Sequence, residues 1–98
     1  MGARVEHATK PAGLSPSRLP IRDLIGAQDG SVNLYLGEQW LAPGDEVRRH
    51  THEVEEILVF LTGRGEATLG DRVVAVGPGV SLHIPPGEVH GFTNTGDE

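Results

Sequence analysis

Apolar residues in this chain come in short alternating runs, and glycine or proline cuts the runs at close intervals. Alternation with a period of two is the pattern of a half-buried strand, whose successive side chains point to opposite faces. Residues 21–27 read as a first strand, closed by a turn at Gln28, Asp29 and Gly30. Val32, Leu34 and Leu36 alternate with Asn33 and Tyr35, which predicts a second strand. The pattern breaks where Trp40 follows Gln39 and adjoins Leu41, so a bulge is expected near residues 37–40. After the turn at residues 42–45, strands are expected over 47–52, 56–62, 66–69, 72–76, 80–84 and 89–93. Residues 56–62 (EILVFLT) are apolar on both faces, so something should cover the outer one.

Residues 1–20 differ. They lack periodicity and hold three prolines. They read as an extended or mobile arm, or as an arm that adds a strand to its own sheet or a partner's. The remainder, residues 21–98, reads as one domain. Short strands with turns every few residues predict an all-β sandwich or barrel, with no helix longer than a turn.

Composition narrows the partners. Fourteen acidic residues against eight basic ones give a formal charge of −6, a poor match for nucleic acid or an anionic membrane. No apolar run approaches the roughly 20 residues of a spanning helix, and the N-terminus lacks the apolar stretch of a secretory leader. There is no cysteine, which excludes disulfides and thiolate metal sites and agrees with a cytoplasmic setting. A chain of 98 residues buries about two-thirds of its unfolded surface, so a metal or a second subunit would help it.

The candidate chemistry lies in residues 44–63, GDEVRRHTHEVEEILVFLTG. His50 and His52 are two apart, so on a strand both imidazoles face one way. Glu56 follows on the next segment, and His90 lies just past the turn Pro85-Pro86-Gly87. Imidazole nitrogens with a carboxylate suit first-row divalent metals, and a set that leaves a coordination position open suits catalysis. Arg48 shares parity with the histidines and could hold a substrate carboxylate or pair with Glu46 or Glu55, while Arg49 should face outward. Leu58, Phe60 and Phe92 could line a pocket or simply pack the core. Tyr35 and Gln39 could be polar pocket groups. His7 and His83 read as surface histidines.

These residues resemble the two motifs of the cupin superfamily. The first is Gly, five residues, His-x-His, three or four residues, Glu, six residues, Gly; here it is Gly44, His50, His52, Glu56 and Gly63. The second is Gly, five residues, Pro-x-Gly, two residues, His, three residues, Asn; here it is Gly79, Pro85, Gly87, His90 and Asn94. Fifteen residues separate the motifs. The resemblance covers residues 32–94. It implies a cupin double-stranded β-helix, a jelly-roll barrel, holding one divalent ion (Mn, Fe, Ni, Co, Cu or Zn) on His50, His52, Glu56 and His90, with Asn94 structural. Small single-domain cupins suggest a dioxygenase-like oxidoreductase acting on a small enolic, aromatic or carboxylate substrate. Isomerases, lyases and decarboxylases use the same ligands, and a non-enzymatic metal or small-ligand binding module is the reading from another class. Most cupins run at least one more strand past the second motif, so the expectation is a truncated chain, an arm that fills the gap, or a strand lent by a partner. With the doubly apolar run at 56–62, this predicts a homodimer.

Overall fold

The computed structural model describes residues 2–98. It divides into two units, Met1–Trp40 and Leu41–Glu98.

The first unit is a three-stranded antiparallel sheet in the order β1-β2-β3, made of β1 (Ala12–Leu14), β2 (Pro20–Ile25) and β3 (Leu36–Gln39). β1 falls within the stretch read as an arm and adds a strand to that stretch's own sheet; Met1, where the stretch begins, lies outside the described residues. Among the described residues of this unit, Leu19 and Leu24 are the buried apolar ones. Polar contacts do much of the fastening. Lys10 Nζ donates to Asp29 Oδ1 at 2.7 Å, and the Gly26 N–H donates to Asp29 Oδ2 at 3.1 Å, which closes the turn before Gly30 (φ 93°). The Arg22 guanidinium lies 5.8 Å from the Trp40 ring centroid and donates to the His7 carbonyl. The His7 ring approaches Glu38 at 3.7 Å.

The strand predicted from Val32 to Leu36 is not there. β3 starts at Leu36, and Val32 and Leu34 are 91% and 79% exposed. The Ser31 hydroxyl accepts from the Leu34 N–H and donates to the Leu34 carbonyl, so a serine turn takes the backbone groups a ladder would need. The register irregularity falls on β2, between Asp23 and Ile25, opposite the start of β3.

The second unit holds six antiparallel strands: β4 (Glu46–His50), β5 (Glu56–Val59), β6 (Gly65–Leu69), β7 (Arg72–Val76), β8 (Ser81–Ile84) and β9 (His90–Asn94). Four make a sheet in the order β4-β9-β6-β7, and β5 pairs with β8 in a ribbon. Alternation decides which face is inside. Ala67 and Leu69 of β6, Val76 of β7, and Leu82 and Ile84 of β8 are buried in one cluster, with Leu58, Phe60, Val74, Val80 and Phe92 packed against it. Both sheets therefore contribute to a single core. Full burial of Ile84 contributes roughly 1.5–3 kcal/mol. The other face of the ribbon is open among the described residues: Ile57, Val59 and Leu61 are 69%, 60% and 71% exposed.

Two features fix the C-terminal end of β9. Asn94 donates through Nδ2 to the carbonyls of Leu41 and Glu98 and accepts at Oδ1 from Gly96 N–H, tying three segments together. At Gly65 a Cβ would run into the Thr93 carbonyl, so β6 and β9 approach as only glycine allows.

Candidate metal centre

His50 and His90 are direct cross-strand partners at the end of the β4–β9 ladder. The ladder carries a bulge: Val47 pairs with Phe92 and His50 with His90, so Arg48 and Arg49 together oppose Gly91. The extra residue keeps both Val47 and His50 on the face of Phe92 and His90. Gly91 is the counterpart of the bulge. A Cβ there would meet the Val47 carbonyl oxygen at 2.7 Å and the Arg49 nitrogen at 3.1 Å. The parity argument that grouped Arg48 with His50 does not carry across a bulge, because two residues share one outward position. Arg49 lines a cleft on the sheet with Glu46, Glu66, Thr68 and Thr93.

His52 follows in irregular chain, and its backbone carbonyl accepts from the Gly87 N–H at 2.9 Å, which joins the two histidine-bearing segments. The three rings converge. Centroids are 4.3 Å apart for His50–His90, 4.7 Å for His52–His90 and 5.7 Å for His50–His52. One ligand nitrogen from each lies within 4.8 Å of the others. Exposure is graded: His90 is buried, His52 intermediate and His50 exposed.

The tautomers follow from the backbone. Nδ1 of His50 lies 2.7 Å from the Arg48 carbonyl, Nδ1 of His52 2.8 Å from that of Val54, and Nδ1 of His90 2.9 Å from that of Glu88. A carbonyl only accepts, so in each neutral ring Nδ1 carries the proton and Nε2 presents a lone pair. The Nε2 atoms of His52 and His90 are buried and have no hydrogen-bond partner. Glu56, the first residue of β5, adds negative charge: Oε2 lies 3.2 Å from His52 Nε2 and Oε1 3.7 Å from His90 Nε2. These approaches are not aligned as hydrogen bonds, and lone pairs facing a carboxylate repel. A cation among them reverses the sign of every interaction. Three inward lone pairs, a carboxylate and no donor fit a divalent metal ion.

Among the other residues singled out from sequence, Phe60 and Phe92 stack edge to face at 5.8 Å and pack with Leu58 against the core. Tyr35 and Gln39 belong to the first unit; the Tyr35 hydroxyl donates to Asp23, and Gln39 pairs with Ile21. His83 sits 3.2 Å from Glu55 on the exposed side of the ribbon. Sequence reading missed the three carbonyls of Arg48, Val54 and Glu88. Each lies two residues from its histidine, but a backbone atom leaves no side-chain signature to find.

Known proteins place this geometry. The profile of the family described as Cupin domain matches residues 37–98. Protein SchB of Streptomyces halstedii is 33% identical over 69 residues, which are 69% of this chain and 50% of SchB, so the chain spans half the length of that relative. The structure of the polyketide cyclase RemF from Streptomyces resistomycificus is similar with a TM-score of 0.84 and 31% identity, over 98% of this chain and 72% of RemF. A predicted oxalate decarboxylase from Thermotoga maritima, at 23% identity, shares the fold with a TM-score of 0.85 over 97% of this chain and 90% of its own. The chain belongs to the cupin family, and its strands are those of the all-β cupin jelly roll.

Proposed function

We propose that His50, His52, His90 and Glu56 hold one divalent transition-metal ion, and that the loaded site acts on a small enolic substrate by ring closure of a β-polyketone. The supporting observation is the set of inward Nε2 lone pairs, each fixed by a carbonyl on the other ring nitrogen. The likeness to a polyketide cyclase over nearly the whole chain supports the substrate class. A bound divalent ion supplies Lewis acidity toward a carbonyl or enol oxygen.

The chain's own residues supply the rest of the reading. The three carbonyl tethers orient the rings before any ligand arrives, which lowers the cost of ordering them on binding. Leu58, Phe60 and Phe92 offer an apolar wall for a planar substrate. A homodimer belongs to the same reading, supported by the exposed Ile57, Val59 and Leu61; a single monomeric species in sedimentation at micromolar concentration would remove it.

The test combines elemental analysis of purified protein with two assays of the loaded form. A poly-β-ketone should give cyclised product without oxygen uptake. Oxygen consumed in step with substrate would replace cyclisation by the dioxygenase-like reaction that the same ligands allow. Tight binding of enolic ligands with neither reaction would make the protein a binding module.

A further inference from the structure

The carboxylate does not stand with the imidazoles as an equal. The group whose ligand atoms all lie within 4.8 Å of one another is His50, His52 and His90; Glu56 is outside it. Its two oxygens are divided, Oε2 beside His52 and Oε1 beside His90. The rings and the carboxylate are also held differently. Each imidazole is tethered through Nδ1 to the backbone. The Glu56 carboxylate, among the described residues, meets the two rings alone.

Fixed donors carry most of a site's affinity, because little freedom remains to be lost when the ion arrives. A side chain without supporting contacts gives up more rotamer freedom for the same bond. From this difference we infer that the three imidazoles alone retain the ion and that Glu56 is an exchangeable ligand, which yields its place to the oxygens of a bidentate enolate. This rests on the proposed metal site and names how its substrate enters. It assigns Glu56 to exchange, and it assigns permanence to the histidines. The exchange is a substitution of oxygen donors: the bond from the carboxylate oxygen would break, one enolate oxygen would take its position and the other the coordination position that the protein ligands leave open, and no electron or proton would be transferred.

The experiment reads metal content and ligand spectra rather than turnover. The full chain and the variants Glu56→Gln, Glu56→Ala, His50→Ala and His90→Ala are loaded with Co²⁺, dialysed and assayed for bound metal and visible absorption. Both Glu56 variants should keep one ion per chain, with affinity weakened about 10–100-fold. Both histidine variants should lose stoichiometric ion. His50 is the exposed member, so His50→Ala preserves the comparison if the buried position does not fold; circular dichroism checks each variant. Sodium acetylacetonate, already an enolate, should then move the spectra of wild type and Glu56→Gln to a common endpoint. Loss of metal from Glu56→Gln equal to that from His50→Ala would overturn the inference. So would a wild-type spectrum unmoved by acetylacetonate while that of Glu56→Gln shifts. Absence of cyclase or oxygenase activity leaves both readouts intact, so failure of the proposed reaction is distinguishable from failure of ligand exchange.

Discussion

The two units use the same kind of sequence to opposite ends. Residues 32–36 and 65–69 both alternate, yet Val32 and Leu34 lie 91% and 79% exposed while Ala67 and Leu69 are buried at 1% and 8%. β6 has a partner on each side, β7 and β9, and a core to face. The 32–36 stretch meets a serine hydroxyl first, and its ladder never forms. Alternation states a preference for a two-faced environment; a partner strand decides whether it is met. The second unit accordingly rests on packing, and the first on a few polar contacts around Leu19 and Leu24.

That contrast can be broken at three places. The largest effect is expected from Gly65→Ala, where a methyl group would strike the Thr93 carbonyl between two backbones. A loss of about 4 kcal/mol, at the extreme of single substitutions, should show in denaturant unfolding. A cost below about 1 kcal/mol would mean that the sheet yields, contrary to a packing-governed unit. Next, Ile84→Ala in the shared core should cost about 2–5 kcal/mol by the lost methylene transfer and the cavity left behind. Urea titration followed through Phe and Trp fluorescence would measure it.

The smallest effect belongs to the first unit. The hydrogen bond from Lys10, and after it the one from Gly26 N–H, hold the Asp29 carboxyl below the ordinary carboxylate value of 3.8, against some desolvation. A lowered folded-state value means that the contribution is fully present above 3.8 and is lost as pH falls through the depressed value. Lys10→Ala should flatten that acid-side dependence, seen as an Asp29 carboxyl resonance titrating closer to the ordinary value. An unchanged titration would deny the polar fastening.

Much of the site was legible because spacing carries it. The two motifs place His50, His52, Glu56 and His90 without knowledge of any contact. The strands expected over 66–69, 72–76 and 80–84, cut off by glycine or proline, appear as Gly65–Leu69, Arg72–Val76 and Ser81–Ile84, the second with the expected limits. The rest depended on pairing. A bulge is a relation between two strands, so the doubled position of Arg48 and Arg49 could not be read from β4 alone. Residues 60–62 read as strand because they are apolar, but β5 ends at Val59, with one further backbone bond from Phe60 to Val80. The carbonyl tethers on the histidines are backbone geometry and have no letter in the sequence.

The bulge opposite Gly91 has a bearing on how such sites are found. Gly91 offers no side-chain donor and no charge, yet the doubled arginines fit opposite it only because that position is vacant of a side chain. Any survey that ranks positions by what their atoms touch would pass over it. What this position supplies is room, and an imidazole one residue before it takes its heading from that room.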